Sequence, residues 1–135
     1  MQRTRGTLNR ILKFLQCEDK EISLLFVDDD EIRQMNRDYL ERDYPTNVMA
    51  FSLSEGLFGD INPQMLGDIV ISVETAMRDA RQGGITLDDE LAFLMIHGLL
   101  HLLNFNHEDS SPEEAIIMKN KEQKIFLALK GYVIE

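Results

Sequence analysis

All three histidines of this 135-residue chain fall in one short stretch, His97-Gly98-Leu99-Leu100-His101-Leu102-Leu103-Asn104-Phe105-Asn106-His107. His97 and His101 are four residues apart, which on a helix puts both imidazoles on one face, within reach of one metal ion. His107 joins them if the helix ends and the chain turns back. Asn104 suits that turn, because asparagine is the best non-glycine residue for the left-handed conformation that closes a helix. Three nitrogen ligands leave a fourth position open, the pattern of catalytic zinc. Ligand type alone also admits nickel, copper or iron. A single histidine on an apolar helix is usually a satisfied core residue. Two at this spacing on a buried helix are costly to bury without a metal or acceptors, and a third lies just past the helix end. The sequence predicts one metal site, one zinc ion per chain, on His97, His101 and His107.

A metal so held could polarise a substrate oxygen or lower the pKa of a water. The spacing matches the metzincin pattern H-E-x-x-H-x-x-G-x-x-H at all three histidines. Gly98 stands where that pattern needs its glutamate base, and Asn104 where it has glycine, so a metzincin-like peptidase is disfavoured.

The elements that must position these residues are legible in the pattern. Leu8, Ile11, Leu12 and Leu15 have helical spacing over residues 7–16. Residues 21–27, 47–53 and 66–72 are expected strands, the last apolar enough for burial on both faces. Asp28 to Asp30 offer a cap and an acidic first turn to a helix ending near Leu40. Residues 74–82 predict a helix stopped by Gly83-Gly84. Residues 87–104 predict the histidine helix, apolar almost all round from Leu91 to Leu103, as a central buried helix is. Ser111-Pro112-Glu113-Glu114 starts the last helix, which Gly131 stops after Lys130. The expected fold is α/β (α+β): a single domain with a small mixed β-sheet flanked by helices, and a central buried helix carrying two metal-ligand histidines.

The bulk numbers narrow the function classes. A 44% hydrophobic, 28% charged chain fits an ordinary soluble domain. No apolar run is long enough to span a membrane, and no signal segment follows the first residues, so a cytoplasmic protein is expected. The net charge of −10 argues against broad nucleic-acid binding, while leaving room for a local basic groove. Basic residues cluster at Arg3, Arg5, Arg10 and Lys13 and again at Arg33, Arg37 and Arg42. The lone Cys17 is expected to be an ordinary half-buried thiol.

Three ordered segments resemble the YbeY family of ribosomal RNA maturation endoribonucleases. The histidine stretch is similar to that family's H-G-x-L-H-L-x-G-Y-D-H. Pro45-Thr46-Asn47-Val48-Met49-Ala50-Phe51 is similar to its P-T-[DN]-V-L-S-F, and Leu66-Gly67-Asp68-Ile69-Val70-Ile71-Ser72 to its L-G-D-[IL]-x-I-S. Glu113-Glu114-Ala115 and Met118 fit the helix that follows. The resemblance covers roughly residues 20–132, within a single metal-dependent hydrolase domain spanning 1–135.

The resemblance implies a small mixed sheet with helices on both sides and zinc on His97, His101 and His107. It implies a hydrolase, an endoribonuclease cutting single-stranded RNA in 16S rRNA 3′ end maturation and ribosome quality control. The small ribosomal subunit and its proteins would be partners, and neither membrane nor DNA is expected. Three departures stand out. Leu40 occupies the position of an arginine thought to contact the RNA phosphate, so Arg42 or Arg37 becomes the candidate catalytic cation. Asn104 and Asn106 replace glycine and aspartate. The chain begins almost at its first helix, where family members open with an extra strand, so one sheet edge is expected to be missing or differently covered. Thr46 and Asn47 are candidate substrate contacts, and Asp68 and Asn106 candidate partners for a ligand imidazole. Glu108 and Asp109 are the candidate general bases, and either a water or a ribose 2′-hydroxyl could be the nucleophile. The alternative from another class is a ribosome assembly factor with a mainly structural zinc and little catalysis.

Overall fold

The structure, a computed structural model, describes residues 2–52, 64–103 and 111–133. The elements run α1 (Gln2–Phe14), β1 (Glu21–Val27), α2 (Asp29–Leu40), β2 (Val48–Ser52), β3 (Met65–Ser72), α3 (Val73–Gly83), α4 (Leu87–Leu102) and α5 (Pro112–Lys130). This is the order expected from the sequence. Helix α1 begins earlier than its apolar period, because its first residues are polar and give no periodic signal.

Capping explains most helix ends. Asp28, Ser72, Thr86 and Ser111 each accept a hydrogen bond from the backbone N–H three residues on. Each thus satisfies a donor that the first helical turn leaves unpaired. Gly84 and Gly131 close α3 and α5 in the left-handed conformation.

The three strands form one mixed sheet in the order β1-β3-β2, with β1 parallel and β2 antiparallel to β3. Among the described residues β1 pairs only with β3, so its outer edge carries no strand. Gly67 makes the central strand possible. Its φ is +152°, and a Cβ there would stand 2.1 Å from the Phe51 carbonyl oxygen. The β1–β3 register also shifts beside it, between Glu21 and Ile22.

Strand parity divides the core. Ile69 and Ile71 of β3 face α1, α4 and α5, where Ile11, Ile96, Leu99, Leu100 and Phe126 are fully buried. Each such side chain contributes about 1.5–3 kcal/mol of burial. Val70 faces the other way, onto a smaller cluster with Val27, Ile32 and Met49 beneath α2. Helices therefore cover both faces, and α4 lies at the centre of the larger cluster.

A polar node ties α2 to the start of α3. The Asp29 carboxylate accepts from Ser72 Oγ (2.6 Å), Thr75 Oγ1 (2.6 Å) and the Arg78 guanidinium (2.7 Å). The Asp29 N–H donates to Glu74 Oε1. The two hydroxyls, then Arg78, hold the Asp29 carboxyl down at about 2. Cys17 is half-buried and gives its thiol to the Leu15 carbonyl. Burial, then Asp19, pushes that thiol up, so nothing activates it.

Candidate active site

Helix α4 supplies the site from inside the core. Leu91, Ala92, Leu94, Met95, Ile96, Gly98, Leu99, Leu100 and Leu102 are buried, and the two histidines interrupt this run on the one side that opens. Gly98 lets the helix sit at backbone level on the sheet. A Cβ there would meet three Ile69 side-chain carbons at 3.1, 3.2 and 3.3 Å. Any side chain at this position would press its Cβ on Ile69 of the central strand.

His97 and His101 converge on the floor of a cleft of about 460 Å³. Their Nε2 atoms are 3.0 Å apart, with ring centroids at 4.6 Å and planes at 65°. Two imidazole nitrogens sharing a tetrahedral zinc at ordinary bond lengths stand about 3.3 Å apart. The observed separation is within a few tenths of an ångström of that bite, so the pair fits a metal. Among the described residues no group of three possible ligands gathers. His107 lies outside the described residues, as do Asn104, Asn106, Glu108 and Asp109.

The other rim of the cleft comes from α2, the segment after it, and β2: Tyr39, Leu40, Arg42, Tyr44, Thr46 and Phe51 line it. Asn36, buried at 2% exposure, sends its Nδ2 to the Tyr44 carbonyl (2.9 Å), and its own carbonyl accepts from the Arg42 N–H. Arg33 pairs with Asp43 at 2.8 Å. These bonds fold the segment after α2 back over the cleft. Tyr39 and Tyr44 stay largely exposed at its mouth, and Tyr39 packs edge-on against Phe51 at 5.2 Å.

Several candidates therefore separate. Arg42 and Thr46 reach the cleft, and Leu40 forms part of its wall. Arg37 does not line it; it is exposed on α2, 3.8 Å from Asp38. Asn47 turns away: its carbonyl accepts from the Ser72 N–H and its Nδ2 points to Asp79 at 3.5 Å. Asp68 has the parity of Val70, opposite to Ile69, and so faces away from α4.

Sequence reasoning missed the acid that does touch a histidine. Glu122 of α5, 7% exposed, binds His97 Nδ1. One local signal existed: Glu122 sits on the buried stripe Met118, Ile125, Phe126 and Leu129 of α5, where an acid needs a partner. A second cavity, of about 450 Å³, lies between α3, α4 and α5, with Asp79, Glu90, Phe93 and Glu122 in its wall. Burial, then Asp79, pushes the Glu90 carboxyl up.

Comparison with known proteins decides the family. Residues 1–130 match the family described as endoribonuclease YbeY. The chain belongs to the YbeY endoribonuclease family. A protein named endoribonuclease YbeY from Syntrophus aciditrophicus is 55% identical over 135 residues, all of this chain and 84% of that protein. One of the same name from Syntrophotalea carbinolica is 48% identical over 121 residues, 90% of this chain and 81% of that one. The solution structure of a Thermotoga maritima protein superposes with a TM-score of 0.64 at 25% identity, covering 96% of this chain and 81% of the other. Membership in YbeY places this chain among hydrolases that cut RNA internally, and gives RNA as the substrate class. No described helix is long and apolar enough to cross a membrane.

Proposed function

We propose that this chain is a zinc-dependent endoribonuclease for single-stranded RNA. It acts in the cytoplasm, in 3′ end maturation of small-subunit ribosomal RNA and in ribosome quality control, with the small ribosomal subunit as partner. The observation that carries this is the convergence of His97 and His101 Nε2 on the floor of a cleft rimmed by an arginine and exposed aromatic rings. Zinc held by His97, His101 and His107 would supply Lewis-acid charge at the scissile phosphodiester. Arg42 offers a guanidinium fork to the phosphate oxygens from the same cleft. The exposed rings of Tyr39 and Tyr44 offer faces on which unstacked bases settle, and single strands present such bases more readily than duplexes do. The Thr46 hydroxyl adds a neutral hydrogen-bonding group on the cleft wall.

One observation favours the assembly-factor alternative, in which zinc is structural: Leu40 forms cleft wall where the family pattern has an arginine. Arg42 in the same wall supports the catalytic reading instead. The deciding experiment measures metal content and cleavage of a labelled single-stranded oligoribonucleotide together, with and without chelator, beside His101→Ala. One zinc per chain with chelator-sensitive cleavage, lost in the variant, is the expected result. Zinc without cleavage would leave the assembly factor, and no bound metal would remove the site.

A further inference from the structure

His97 lines the cleft, and its acid partner Glu122 lines a second cavity. The Nε2 edge of His97 faces the cleft it shares with His101, and its Nδ1 edge meets the Glu122 carboxylate. A carboxylate has only acceptors, so the hydrogen of this contact belongs to Nδ1, and the neutral ring then carries its lone pair on Nε2. That is the tautomer a metal on the cleft side requires. A solvated histidine side chain prefers the opposite arrangement, with hydrogen on Nε2, so the protein must impose the choice. Glu122 is placed to do so. It lies 25 residues from His97 on a different helix. It is 7% exposed, and the neighbouring Phe126 is fully buried, so α5 holds the carboxylate still. Asp68, the acid within the strand motif, faces the opposite side of the sheet.

We infer that Glu122 is the positioning residue of the histidine pair: it fixes the Nε2-lone-pair tautomer and the ring orientation of His97 and so raises its strength as a ligand. The inference rests on the metal-site reading above and adds a residue outside the motifs that carry the family resemblance. Carboxylate–histidine–metal arrangements typically lose 10- to 100-fold in metal affinity when the carboxylate is removed.

The test uses the whole chain. Zinc affinity is measured by chelator competition for the unaltered protein, Glu122→Ala, Glu122→Gln, His97→Ala and His101→Ala. Ring nitrogen shifts of His97 are recorded by NMR in the metal-free, unaltered protein at mildly alkaline pH. We expect Nδ1–H on His97 and zinc affinity reduced about 10- to 100-fold in Glu122→Ala. Glu122→Gln keeps an acceptor without the charge and should fall between the two. Its near-identical shape preserves the fold if alanine does not. Zinc affinity unchanged in Glu122→Gln and Glu122→Ala, or hydrogen on His97 Nε2 in the unaltered protein, overturns the inference. If both histidine variants also keep their zinc, the metal site itself is wrong. If they lose it and the Glu122 variants do not, only the positioning role falls.

Discussion

A methyl group added at Gly98 measures how tightly the histidine helix is seated. Two effects of opposite sign meet there. Alanine is about 1 kcal/mol better than glycine inside a helix. Against this, the new Cβ would lie 3.1–3.3 Å from Cγ2, Cδ1 and Cγ1 of Ile69, inside the 3.5–4.0 Å at which carbon atoms pack best. Ile69 is fully buried in the central strand and cannot swing into solvent to relieve the contact. Overpacking of this kind costs about 1–3 kcal/mol. The clash therefore wins, and Gly98→Ala should destabilise the fold by about 1 kcal/mol, roughly 3–5 °C in Tm for a chain of this size. The partner change isolates the cause. Ile69→Ala removes all three contacted atoms and leaves space that the methyl can fill. In that background Gly98→Ala should stabilise by up to about 1 kcal/mol, a coupling of about 1–3 kcal/mol between the two sites. Urea unfolding of the four proteins reads both quantities. A Gly98→Ala protein more stable than its parent, or a coupling near zero, would refute the packing argument.

Three further outcomes are expected. The Asp29 carboxyl sits at about 2, below its ordinary 3.8, so its contribution is complete above pH ~4 and is lost as pH falls toward 2. Acid titration of Asp29→Ala should show a shallower loss of stability over that window, with about 1–2 kcal/mol already missing at neutral pH. Arg42→Ala should lower kcat/KM on single-stranded RNA by roughly 10- to 100-fold, a lost charge-assisted contact, with little change in Tm, whereas Arg37→Ala should leave it within about twofold; equal effects would mean the cleft is not where RNA lies. Tyr39→Ala should weaken RNA binding by about 1–3 kcal/mol per base stacked, read as a rise in Kd, while Tyr39→Phe retains it.

The sequence disclosed whatever follows from local pattern. Helical spacing over residues 7–16 and apolar runs for the strands and for α4 gave the element order, and Asp28, Ser111, Gly84 and Gly131 marked ends that the backbone adopts. The His97–His101 pair was equally plain, because four residues on a helix are a geometric statement by themselves. Sequence could not give relations across elements. Asp68 and Asn47 belong to conspicuous motifs, yet strand parity turns one away and hydrogen bonds to Ser72 and Asp79 hold the other elsewhere. Arg37 and Arg42 were equivalent as charges, and only the turn secured by Asn36 sends Arg42 into the cleft. Glu122 entered through the packing of α5 on α4, which no spacing near the histidines encodes.

The burial of α4 also bears on how the site fails. Enzymes that mount their ligands on loops can lose them by local opening while the rest of the protein stays intact. Here the two imidazoles project from the helix against which α1, α3, α5 and the sheet all pack. Fraying of α1 or lifting of the segment after α2 leaves their spacing untouched. In amide hydrogen exchange the backbone beneath the histidines belongs with the last protons to go, released only when the whole molecule opens. The spacing of the pair should then last as long as the fold does, and heat or denaturant should remove both together.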